Sequence, residues 1–162
     1  MGKTGICQKE KQSYLANKQF CIFKIKLNSY KVKMAEIQKA LLAMHNPNWE
    51  KMYIRQLTGY GYEVSIAKTV NEMKNAMGIS SKGSQKNFFQ LYLMDANLGS
   101  RGAYTHNPAE EIFKLIKTDY ENGKVKFVAI TGNPDVVENA KNNGIPCFSK
   151  GNPEEISDYI KK

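Results

Sequence analysis

Cysteine is scarce in this chain of 162 residues: Cys7, Cys21 and Cys147 are odd in number and far apart. That excludes a disulfide framework and offers no zinc-ligand spacing, so a reducing compartment, the cytoplasm, is expected. Histidine is scarcer still, with only His45 and His106, too few and too scattered for a zinc site. No apolar run approaches the roughly 18 residues that span a bilayer. The N-terminus lacks an apolar stretch closed by a small-residue cleavage site, so no membrane partner is expected. Nucleophile-elbow and Cys–His signatures are missing as well. The fragment Gly2-Lys3-Thr4-Gly5 lacks the upstream glycine and preceding strand of a phosphate loop.

What is present is ordinary globular material, 41% hydrophobic and 24% charged, in a length that suits one domain with a sizeable core. The net charge of +9 is unevenly placed. Residues 1–39 carry nine lysines against two glutamates, and the rest of the chain carries 15 basic against 13 acidic residues. Two readings of this basic arm stay open: a solvated tail, or a non-specific contact for nucleic acid and other anionic surfaces. Within the arm, residues 20–34 alternate apolar and polar around Asn28-Ser29, as a β-hairpin would. The division expected is an arm over 1–38, hairpin or disordered, and a domain over 39–162.

From residue 39 the pattern alternates between short apolar runs and amphipathic stretches. Residues 39–44 suit a buried strand. Asn46-Pro47 then opens a helix in which Trp49, Met52, Tyr53 and Leu57 recur at helical spacing, and Gly59 and Gly61 close it. Residues 62–67 read as a strand, and Thr69 caps a helix running to about Met77. A Gly/Ser/Lys loop follows, then a strong strand over 88–95 that ends in Asp95. After a long loop, a helix from Pro108 to about Tyr120 turns Ile112, Leu115 and Ile116 inward. Residues 124–131 form a strand ending in Thr131, Asn133 caps a helix to about Asn142, and residues 145–150 form a strand ending in Lys150. Asn152-Pro153 opens the last helix. Five apolar strands with helical crossovers predict an α/β fold with a parallel sheet covered on both faces. In such sheets sites lie beyond the carboxyl ends of the strands.

Three polar residues stand at three of those ends: Asp95, Thr131 and Lys150. A parallel sheet delivers all three to one edge. A carboxylate can attack phosphorus. An ammonium and a hydroxyl can meet the oxygens of the phosphoryl group that arrives, and magnesium normally carries the remaining charge.

The segments YLMDANLG, FVAITGN and GIPCFSKG resemble the three phosphorylation-site segments of response-regulator receiver domains, the phosphate-accepting modules of two-component signalling. GYGYEVSIAKTVNEM resembles the end of that family's first helix, its second strand and its second helix. The resemblance covers about residues 39–162. It implies a doubly wound, flavodoxin-like (βα)5 fold with strand order 2-1-3-4-5. It implies Asp95 as phosphoacceptor, Thr131 as switch hydroxyl, Lys150 as paired cation, and a magnesium ion held by Asp95 and the backbone carbonyl of Asn97. The implied partners are a histidine kinase or phosphotransfer protein and a downstream protein. The implied role is signalling in a phosphorelay, not enzymatic turnover beyond self-catalysed phosphotransfer and dephosphorylation. With the chain ending at the fifth helix, a stand-alone receiver is expected, and Met34 would open one of normal length.

The departures bear on the metal. Receivers end the first strand in two acidic residues that hold magnesium; here those positions are Met44 and His45. Methionine is a poor ligand for a hard cation, and histidine prefers softer metals. Magnesium binding is therefore expected to be weak, with Glu50 the one nearby acid that could substitute. A pseudo-receiver, keeping the fold and Asp95 without phosphorylation, is the alternative function. Cys147 takes a position often aromatic in the family, with Phe148 expected on the opposite face. Gly151 follows the lysine where proline is usual. The loop over 99–108 is long, either a lid or partner contact or a tolerated insertion.

Overall fold

The computed structural model describes residues 37–79, 88–99 and 107–162. The hairpin expected over 20–34, nearly all of the arm over 1–38, His106 and most of the 99–108 loop lie outside the described residues.

Five strands and five helices alternate: β1 Gln38–Ala43, α1 Pro47–Gly59, β2 Tyr62–Ala67, α2 Val70–Ala76, β3 Leu91–Asp95, α3 Pro108–Glu121, β4 Lys126–Thr131, α4 Pro134–Asn142, β5 Cys147–Ser149 and α5 Pro153–Lys161. All strand pairs are parallel, and the sheet order is β2-β1-β3-β4-β5, as expected. Among the described residues, no helix is long and apolar enough to cross a membrane.

Four helices open on Asn-Pro. Proline at the first helical position loses no hydrogen bond, because that N–H has no partner inside the helix. Asn46, Asn107 and Asn133 each accept a backbone N–H of the first turn in their side-chain carbonyl, at 2.8, 3.1 and 2.9 Å respectively. Asn152 instead donates its side-chain amide to Glu155, at 3.0 Å. Thr69 caps α2 by accepting the Glu72 N–H at 3.1 Å. Between α1 and β2 the chain reverses through Gly61, whose φ of +88° only glycine adopts without strain.

Alternation along the strands sorts the core into two layers. Leu41, Ala43, Tyr92, Met94, Phe127, Ala129 and Cys147 face α2, α3 and α4. Ala40, Leu42, Met44, Leu91, Leu93, Val128, Ile130 and Phe148 face α1 and α5. Cys147 and Phe148 thus point to opposite faces, and burial pushes the Cys147 thiol up to about 11.

Two inward assignments change. In α3, Leu115 is 42% exposed and Phe113 is buried with Ala109, Ile112 and Ile116. Phe113 packs on Phe127 and Tyr120, with ring centroids 5.2 Å apart in both pairs, and that aromatic cluster turns the helix so that position 115 faces out. In α1, Met52 is 38% exposed, because Tyr53 and Leu57 take the inward stripe. The third strand spans Leu91–Asp95, and Gln90 just before it already bonds through its backbone to Lys39 and Lys126.

Tyr53 is fully buried against the α1/α5 layer. Among the described residues, its hydroxyl is the one buried side-chain polar atom without a hydrogen-bond partner. Burial raises its pKa to about 12. An unpaired buried hydroxyl costs about 1–3 kcal/mol. Tyr53→Phe is therefore expected to raise stability by about 1 kcal/mol in urea denaturation; a loss of stability would show that the hydroxyl has a partner.

Candidate functional site

The carboxyl edge of β3, β4 and β5 brings the three expected residues together. Asp95 pairs in register with Ile130, and Thr131 with Ser149. The backbone N–H of Lys150 donates to the Thr131 carbonyl at 2.8 Å, and that of Ala96 donates to the Ile130 carbonyl at 2.9 Å. Side-chain alternation decides which groups meet. Asp95 follows Leu93 by two residues and Lys150 follows Phe148 by two, so both lie toward the α1/α5 layer. Their charged groups touch: the Lys150 ammonium donates to Asp95 Oδ2 at 2.6 Å. The Asp95 side chain is 9% exposed and that of Lys150 20%.

Thr131 follows Phe127 and Ala129 on the opposite layer and is wholly buried. Asn97 spans the distance between the two. Its N–H donates to Asp95 Oδ1 at 3.1 Å, and its side-chain amide donates to Thr131 Oγ1 at 3.1 Å. Thr131 Oγ1 also accepts the N–H of Asn133, at 3.1 Å. Sequence reasoning assigned Asn97 only a backbone carbonyl role and gave Asn133 only a helix cap. The one signal for the side chain of Asn97 was a short amide two residues after a strand-end acid, a position suited to an Asx turn.

Of the other candidates, Met44 adjoins Asp95 and the rest fall elsewhere. Met44 is the residue after Ala43, which registers with Met94, so Met44 stands beside Asp95 across the β1–β3 pair. It is wholly buried on the layer shared with Leu42 and Leu93. His45 is exposed and is not the cap of α1, a place taken by Asn46. Glu50 is ion-paired with Lys68, which follows β2. Asp135 lies in the first turn of α4, and Asp119 is paired with Lys124 at 3.1 Å.

Magnesium requires a near-octahedral set of oxygen ligands at about 2.0–2.1 Å. The edge offers one carboxylate, and its Oδ2 already carries the Lys150 ammonium. Where a second acid would stand, there is the buried thioether of Met44. Among the described residues, no group of three His, Cys, Asp or Glu side chains could hold a metal ion. Among the described residues, the oxygen donors at this edge fall short of the set magnesium requires.

No protein-family model matches the sequence, and no curated protein matches it. Solved structures do resemble it. A CheY-like response regulator receiver domain protein from Methanospirillum hungatei JF-1 is 23% identical, over 78% of this chain and 92% of that one, with a TM-score of 0.55. The signal receiver domain of an HD domain-containing protein from Pseudomonas fluorescens Pf-5 is 16% identical, over 76% and 91%, with a TM-score of 0.56. The non-phosphorylated HemR receiver domain from Leptospira biflexa is 19% identical, over 76% and 91%, with a TM-score of 0.54. With its strand order and its two helical layers, the chain has the fold of response-regulator receiver domains.

Proposed function

We propose that this domain is a receiver-type signalling module that accepts a phosphoryl group on Asp95 and acts through protein partners. The observation that carries the reading is the convergence of Asp95, Thr131 and Lys150 at one sheet edge, with the ammonium on the carboxylate at 2.6 Å. A phosphohistidine on a kinase or phosphotransfer protein is the donor class. The Asp95 oxygen attacks phosphorus, the P–N bond breaks, and the imidazole leaves with that electron pair. Lys150 neutralises the oxygens that arrive, and the Thr131 hydroxyl can turn to donate to one of them. The output is then a protein partner reading the changed surface.

A second reading is favoured by one observation, the wholly buried Met44 beside Asp95. It removes the place for a second acid, and the domain then works as an interaction module without phosphorylation. Incubation with acetyl phosphate and magnesium, followed by intact mass, separates the two. The first reading expects a gain of one phosphoryl group that is absent in Asp95→Asn. No gain at any magnesium concentration would leave the interaction module.

A further inference from the structure

We infer that the side chain of Asn97 is the positioning element that carries a change at Asp95 to the start of α4. The inference deepens the phosphoacceptor reading and rests on it for its purpose.

The connections are continuous. Asn97 donates its N–H to Asp95 Oδ1 and its side-chain amide to Thr131 Oγ1, both at 3.1 Å. Thr131 Oγ1 also accepts the Asn133 N–H at 3.1 Å, and Asn133 in turn accepts the Asp135 N–H at 2.9 Å as the cap of α4. One short residue therefore holds a carboxylate facing one layer of the fold and a hydroxyl facing the other. The hydrogen bond to Asp95 is charge-assisted, so it weakens when the charge on Oδ1 is removed or moved. Asn97 then shifts, the Thr131 hydroxyl loses one of its two donors, and the Asn133 N–H follows.

Two other routes start from the same site. Lys150 touches Asp95 with its ammonium and Thr131 with its backbone N–H, at 2.6 and 2.8 Å. Its backbone bond belongs to the β4–β5 ladder, which a change at the end of a long side chain need not disturb. Cys147 holds the position three before Lys150, is wholly buried, and has no ring that could swing between two places. Asn97 is the route that reaches Thr131 through its hydroxyl.

The test uses the full chain, labelled with 15N, and reads the amide signals of residues 132–137. Asp95→Asn removes the charge without phosphoryl chemistry. It is expected to displace the signals of Asn133 and the first turn of α4. In the Asn97→Ala background that displacement is expected to be lost. Thr131→Val, an isosteric change, provides a second background in which it is also expected to be lost. A displacement of equal size in the Asn97→Ala background overturns the inference and points to Lys150. No displacement by Asp95→Asn in the wild-type background overturns it too. If acetyl phosphate adds no mass to the wild-type chain, the phosphoacceptor reading fails, while the relay is still decided by the Asp95→Asn comparison.

Discussion

Lys150→Met is expected to cost about 3 kcal/mol of stability at pH 7, and to move the thermal midpoint by on the order of 10 °C. The reason is what the substitution leaves behind. Asp95 has a side chain 9% exposed, and its Oδ2 takes the Lys150 ammonium at 2.6 Å. Remove the cation and a carboxylate stays in a nearly dry place, with the Asn97 N–H still donating to its Oδ1. Breaking one side of such a pair costs far more than deleting both, because the cost lies in the abandoned charge. Asp95→Asn combined with Lys150→Met should therefore recover most of the loss. Asp95→Asn alone should be mild, since the Lys150 side chain, 20% exposed, can turn its ammonium to water. Urea denaturation at pH 7 reads both the loss and its recovery. A Lys150→Met chain as stable as wild type at pH 7 would mean that Asp95 reaches solvent freely.

The fold was largely legible because its punctuation is local. Asn-Pro pairs, Thr69 and Gly61 act within three or four residues, and each fixes an element boundary by hydrogen bonding or by allowed backbone angles. Strand sidedness was legible too, since alternation follows from the backbone alone. That is why Cys147 and Phe148 fell on opposite faces as expected. Helix facing was less legible. Leu115 and Phe113 are both apolar and 200° apart on a helical wheel, so composition does not choose between them. The choice was made by Phe127 and Tyr120, residues on other parts of the chain.

The site shows the same division. That Asp95, Thr131 and Lys150 end three strands was visible in the sequence, and parallel pairing does the rest. The bond from Asn97 to Thr131 was not visible, because it joins residues 34 apart and depends on the turn of residues 95–98. Nor was the ion pair of Glu50 with Lys68. Residue type placed Glu50 near the metal position, but only the path of β2 brings Lys68 to it.

Met44→Asp is expected to give the largest change of chemistry from one substitution, the appearance of a divalent cation site. Met44 stands one step beyond the Ala43–Met94 register, beside Asp95, and is wholly buried. An aspartate there sets two carboxylates side by side across β1 and β3, with the Asn97 carbonyl two residues further along. Without a cation that arrangement is unfavourable. Two like charges share a poorly hydrated place with one lysine, and the loss should be about 3–5 kcal/mol. With magnesium the balance changes. A millimolar site corresponds to about −4 kcal/mol of binding free energy, and at ten times its dissociation constant the ion restores about 1.4 kcal/mol of stability. The signature is thus a domain destabilised in chelator and measurably rescued by magnesium, whereas the wild-type chain is indifferent to the ion. Thermal unfolding with and without magnesium reads it, and manganese broadening of the Asn97 amide signal locates it. Asp95→Asn in the Met44→Asp background should abolish the rescue. Wild-type stabilisation by magnesium that vanishes in Asp95→Asn would show that one carboxylate suffices and that Met44 does not close the site. Absence of rescue in Met44→Asp would show that the Lys150 ammonium, not the thioether, is what keeps a cation out.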